Sequence, residues 1–231
     1  HPFLSRFVDE DFNRLWSPEV LNGERTSAEL ERARELRPFV ETVDYLLDIH
    51  SMQTDVAPLM LAGPLEKGRN FAGQLGSPVH VVSDEGHAAG RRLRDYGGFR
   101  DPGSIKNALL VECGQHWQAA SADVSLQTTL RFLRACDCVE GSDVAEHIVA
   151  DDRPQKFIEV VDVVTIKTPA FRFVEAYQGL EVIPKAGTVL GYDQDVEMIT
   201  PCDDCVLIMP SQRLFPGHTA VRLGRLLSCA S

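Results

Sequence analysis

Two short stretches of this chain hold groups that a buried strand does not need. Asp48-Ile49-His50-Ser51 closes the apolar run at residues 43–49, and Glu112-Cys113-Gly114-Gln115-His116 directly follows the apolar run at 108–111. Strand ends are where open α/β sheets keep their chemistry. Asp48 and His50 lie two residues apart, so on a strand they share a face, and a carboxylate there can orient an imidazole as it does beside bound metals. His50 reads either as a metal ligand or as a histidine hydrogen-bonded at a strand end. Glu112 would be partly desolvated, which raises a carboxyl pKa and suits proton transfer near neutrality. It reads either as a general base or as the partner of an arginine from the loop before it. Gly114 lets backbone or ligand approach closely. His116 either lines the same pocket or caps the next segment, and the second is expected.

Two further groups bear on substrate. In Asp11-Phe12-Asn13-Arg14, the Arg14 guanidinium offers a fixed fork of donors for a carboxylate, and Asn13 adds an amide. Alone, such a pair is usually solvated surface. Residues 83–106 carry Arg91, Arg92, Arg94 and Arg100 among several glycines. A long loop of this kind is either functional or unstructured. Its arginines are expected to be solvated rather than to form a flap over an anionic substrate.

The elements that must position these residues alternate between strand and helix. Thr26 and Glu29 predict a capping box, followed by Leu30, Ala33, Leu36 and Val40 at helical spacing. Strands are predicted at 43–49, 59–62, 79–82 and 108–111, and helices at 66–75 and 121–135. Residues 1–23 read as loop. After Cys138 the pattern changes to a polar linker at 141–155 with one helical turn. Short apolar runs then follow at 157–166, 171–176, 182–183, 189–190, 206–209 and 220–223, cut by Pro and Gly. The prediction is an α/β domain over 1–139 and a small all-β domain over 140–231.

Composition narrows the function classes. The net charge of -11 argues against general affinity for nucleic acid or anionic membranes. No apolar run approaches the roughly 20 residues of a membrane span, and no signal peptide is visible, so a cytoplasmic protein is expected. Cys202-Asp203-Asp204-Cys205 stands without the second pair that a zinc ribbon needs, so the cysteines are expected to be free thiols. The opening His1-Pro2-Phe3-Leu4 reads as the middle of a longer protein.

The order of these motifs resembles the succinylglutamate desuccinylase/aspartoacylase family, a branch of the zinc carboxypeptidase-like fold. The matching residues run from Phe7 through Asp9-Glu10-Asp11-Phe12-Asn13-Arg14, then Leu47-Asp48-Ile49-His50-Ser51, then Leu110-Val111-Glu112-Cys113-Gly114-Gln115-His116. Pro184-x-x-Gly187-Thr188-Val189 and Asp203 through Pro210 also look like the family's C-terminal part. The resemblance implies a mixed sheet with helices on both faces, followed by the small all-β domain. It implies a zinc-dependent hydrolase that cleaves the amide of an N-acyl amino acid or similar small carboxylate. His50 would be a zinc ligand, Glu112 the catalytic glutamate, and Asn13 and Arg14 the substrate-binding pair. Its partner would be a small anionic substrate, with a homo-oligomer left open. The family's first zinc ligands lie in a His-x-x-Glu motif, and none of the seven histidines here has Glu three residues later. Those ligands are therefore expected before His1. Two other readings remain: a non-catalytic binding or regulatory member of the family, and a β-rich tail that binds a partner by itself.

Overall fold

The structure, a computed structural model, describes residues 6–86 and 89–227. His1, the Pro2-Phe3-Leu4 opening, His87 and Cys229 lie outside the described residues. A 3-10 turn (Phe12–Arg14) precedes helices α1 (Pro18–Leu21) and α2 (Ala28–Thr42). Then come β1 (Tyr45–Met52), β2 (Leu59–Leu61), α3 (Glu66–Leu75), β3 (His80–Ser83) and β4 (Asn107–Gln115). Helices α4 (Ala119–Ala135) and α5 (Gly141–Ala145) follow. The tail holds β5 (Lys156–Thr165), β6 (Arg172–Phe173), β7 (Val182–Ile183) and β8 (Val189–Asp193). It ends with β9 (Val196–Ile199), β10 (Cys205–Ile208) and β11 (Thr219–Leu226).

The main sheet has eight strands in the order β1-β4-β2-β3-β5-β11-β10-β7. It is mixed: β1 runs parallel to β4, β2 antiparallel to β4 and parallel to β3. Strand β4 is buried along almost its whole length, as a near-continuous apolar run requires when both faces are covered. On one face Leu109, Val111 and Cys113 pack against Phe71 and Leu75 of α3 and Phe132 of α4. On the other, Ala108 meets Leu30 and Ala33 of α2 together with Trp16 and Tyr96. Each such buried side chain stabilises the fold by about 1.5–3 kcal/mol relative to exposure. Helices thus cover both faces. The tail is all β, and β5, β11, β10 and β7 extend this same sheet, while β6, β8 and β9 form a second one.

Helix α2 buries its predicted face, but its cap is Ser27, whose Oγ accepts from Leu30 N at 3.0 Å. The carboxylate of Glu29 instead takes the backbone N–H groups of Val8, Asp9 and Glu10. This ties the segment bearing Asn13 and Arg14 to the helix. Three of the predicted boundaries were wrong where they mattered most. Strand β1 runs past Ile49 to Met52, and β4 runs past Val111 to Gln115, so His50 and Glu112 sit within strands rather than beyond their ends. The strand β9 was not expected at all.

The arginine-rich loop is also not solvated surface. Residues between β3 and β4 cross the sheet as a strap with two 3-10 turns, Leu93–Asp95 and Gly97–Phe99. Arg92 and Arg94 are 3% and 2% exposed. Lys67 of α3 holds the strap's C-terminal half: its ammonium donates to the carbonyls of Gly98 (3.0 Å), Asp101 (2.6 Å), Ser104 (3.0 Å) and Lys106 (2.7 Å). Lys67→Met leaves those carbonyls without this donor. It is expected to lower stability by about 2 kcal/mol in urea unfolding, as for loss of charge-assisted hydrogen bonds. An unchanged midpoint would show that the strap holds itself.

Candidate active site

The parallel pairing of β1 and β4 sets His50 in register with Glu112. Asp48 lies on the same face as His50, and its Oδ1 is 2.8 Å from His50 Nε2. The Asn13 amide nitrogen is 3.3 Å from both Asp48 Oδ2 and His50 Nε2. A single ring nitrogen cannot donate to the carboxylate and accept from the amide at once. The shorter, charge-assisted contact assigns the proton to Nε2, donated to Asp48. That leaves Nδ1 with the lone pair. Burial opposes protonation of His50, but the Asp48 hydrogen bond, Asp48's charge and Glu112's charge outweigh it and raise its pKa.

Asn13 is fixed from several directions. Asp11 Oδ1 accepts from its backbone N–H at 3.0 Å, and its own Oδ1 accepts from Leu93 N at 2.7 Å. The strap runs beside this segment, with Leu15 paired to Arg91 and Trp16 N donating to Arg91 O. Gly90 is required there, because a Cβ would stand 2.3 Å from Arg14 O and its φ is +145°. Arg14 donates to Asn13 O at 2.6 Å and reaches Asp11 Oδ2 only at 3.7 Å. Burial lowers its pKa; Asp11 opposes this, while Arg6, Arg92 and Arg222 add to it. A cavity of about 460 Å³ opens beside Arg14, between this segment and the strap. Neither His50 nor Glu112 lines that cavity, so the chemistry is argued from the β1–β4 pair and not from it.

Glu112 is 8% exposed, and its Oε2 has no hydrogen-bond partner. The arginine partner that a structural role would supply is not in hydrogen-bond reach among the described residues. Burial pushes its carboxyl up to about 7, against the opposing charges of His50, Arg6 and Arg92. Gly114 follows with φ +117°, and a Cβ there would meet Ser121 Oγ at 2.9 Å. His116 does not cap the next helix; its Nδ1 is 2.7 Å from Ser51 Oγ.

The sequence-predicted residues therefore converge: Asn13, His50 and Glu112 meet over one face of β1 and β4, with Arg14 adjoining. Sequence reading missed the cluster beneath them. Arg92 holds Asp84 through two hydrogen bonds of 3.0 and 2.7 Å and Asp95 through a third of 2.7 Å. The Arg92-x-x-Asp95 spacing was the available signal.

The donors were tested against a zinc site. His50 Nδ1 is suited to a metal, but such a site needs about three protein ligands. Among the described residues no group of three His, Cys, Asp or Glu side chains could hold one. These residues do not fit zinc by themselves.

No protein-family model matches this sequence, and no curated protein sequence matches it either. Solved structures do match. A succinylglutamate desuccinylase from Vibrio parahaemolyticus superposes with a TM-score of 0.67 at 16% identity, over 98% of this chain and 68% of that one. The chain has the succinylglutamate desuccinylase fold. A succinylglutamate desuccinylase/aspartoacylase from Rhodobacter sphaeroides gives 0.65 at 15% identity, over 95% and 68% of the two chains. The ectoine utilization protein EutE (DoeB) from Ruegeria pomeroyi gives 0.58 at 17%, over 93% and 69%. Likeness at this identity establishes the desuccinylase architecture, in which β1 and β4 carry the candidate residues. No helix among the described residues is long and apolar enough to cross a membrane.

Proposed function

We propose that this protein is a zinc-dependent deacylase that hydrolyses the amide bond of a small anionic N-acyl amino acid. One observation carries the reading: a buried carboxyl without a hydrogen-bond partner, poised near neutral pKa, stands beside an Asp-oriented histidine on this fold. Glu112 is the general base. Ionised, it takes a proton from the water that attacks the amide carbon, and returns it to the nitrogen as the C–N bond breaks. Asn13 and Arg14 hold the substrate, Arg14 by a carboxylate. His50 is one zinc ligand through Nδ1, and the other donors must come from outside the described residues.

The test is hydrolysis of an N-acyl amino acid panel by the longest polypeptide that this reading frame encodes, with zinc supplied. Zinc-dependent turnover that Glu112→Gln removes is the expected result. Turnover that survives this substitution, or none with any substrate, sinks the reading. Asp48→Asn is expected to weaken zinc uptake by about 10–100-fold through loss of its hold on His50. Metal analysis after dialysis reads that loss without reference to activity.

The shortage of donors favours a second reading, a family member that binds anionic ligands without cleaving them. Ligand binding without turnover, insensitive to Glu112→Gln, would select it.

A further inference from the structure

Arg222 lies on β11, in the β-rich tail to which the proposed mechanism gives no task. It pairs in register with Ile208 of β10 and Val163 of β5. Its side chain is only 10% exposed, yet its one ion-pair contact is Asp84 Oδ2 at 3.6 Å from Nε, beyond hydrogen-bond length. Nε makes no hydrogen bond among the described residues. Asp84 is already engaged by Arg92 through both carboxylate oxygens. A guanidinium presents five donors in a planar fork, and burying it unsatisfied is costly unless an anion completes the arrangement.

The surroundings indicate where that anion would sit. Arg222 and Arg14 are close enough for Arg222 to help push the Arg14 pKa down, and the charge of Glu112 acts on Arg222. Arg6, Arg14, Arg92 and Arg222 thus concentrate positive charge around one carboxyl that burial keeps partly protonated. Of the four, Arg92 is fully paired, while Arg14 and Arg222 each keep donors unspent.

We propose that Arg222 is a second carboxylate-binding residue of this site, so that the ligand carries two carboxylates, one at Arg14 and one at Arg222. The inference rests on the proposed location of the site, and not on Glu112 acting as a base. It gives the tail a reason to join the main sheet: β11 delivers a cation that the first part of the chain does not supply.

Calorimetry with glutarate and pentanoate separates this from a purely structural ion pair, since the two probes share a chain length and differ by one carboxylate. The folded protein is expected to bind glutarate about tenfold more tightly, a typical margin for one added charge-assisted contact. Arg222→Gln is expected to erase that margin while leaving pentanoate affinity within about twofold, because Arg14 is untouched. A margin that persists in Arg222→Gln, or none in the parent protein, overturns the proposal. Should Arg222→Gln fail to fold by circular dichroism, Arg222→Lys keeps a charge beside Asp84 but gives up the fork. The margin must then shrink, and an unchanged margin is again a refutation. The outcomes also separate from those of the deacylase reading. Absent turnover with the margin intact removes only catalysis, and turnover with an Arg222-independent margin removes only the second anchor.

Discussion

Replacing Glu112 by Gln is expected to lower hydrolysis by about 10²–10⁴-fold, the range for loss of a general base, and at the same time to stabilise the protein at pH 8. The two effects have one cause. Burial raises the Glu112 pKa from 4.5 to about 7. Below 4.5 the carboxyl is protonated in both folded and unfolded chains. Between 4.5 and about 7 the unfolded chain ionises first, so stability falls as pH rises, and above about 7 the full cost of a buried carboxylate is present. Glutamine has nearly the same shape and never ionises. The gain from Glu112→Gln is therefore expected to be near zero at pH 4.5 and about 2 kcal/mol at pH 8. Urea unfolding at the two pH values reads it. A structural glutamate paired with an arginine would give the opposite sign, because its partner would be left unpaired. A residue with no part in the site would give no activity loss.

Much of the site was legible because the signals were local. An acid and a histidine at the end of apolar runs violate binary patterning, and such violations mark function. Positions of helix α3 and strand β7 were read correctly for a similar reason: an α-helical apolar face and a short apolar run bounded by breakers leave few alternatives. The boundaries of β1 and β4 were misread because polar residues were taken to end strands. Here the parallel ladder continues through His50 and Glu112, since backbone pairing is indifferent to side-chain polarity. The strap was misread for a different reason. Four arginines among glycines look solvated when their partners are unknown. The acids that bury them, Asp84 and Asp95, are near in sequence, but nothing in the spacing says that Arg94 also reaches Ala62 O and Ala108 O. The same applies to Arg222, whose nearest opposite charge is more than a hundred residues away in the chain.

Arg92→Met is expected to be the most destabilising single substitution in the site region, at about 3–5 kcal/mol, the usual cost of removing one partner from a buried ion cluster. In a domain of this size that corresponds to a drop of about 10 °C in Tm. Arg92 spends its fork on two carboxylates at once, each 1% exposed at the side chain. The opposing pulls are visible in the cluster: burial disfavours the Arg92 charge, but Asp84 and Asp95 more than restore it. In return, Arg92 and Arg94 hold the Asp95 carboxyl below its ordinary range despite burial. Without Arg92, Asp95 keeps only Arg94, and Asp84 keeps only the distant contact with Arg222. Methionine fills the volume but answers neither charge, so packing cannot compensate. Because Leu93 N holds Asn13 Oδ1, the loss should also loosen the Asn13-Arg14 segment. Below the melting transition, KM is therefore expected to rise more than kcat falls. Arg92→Lys tests the geometry, since one ammonium cannot span Asp84 and Asp95 as the fork does, and it should recover less than half of the lost stability. If Arg92→Met unfolds within about 1 kcal/mol of the parent protein, the cluster is not what fixes the strap to the sheet, and Asn13 must be held by Asp11 and Glu29 alone.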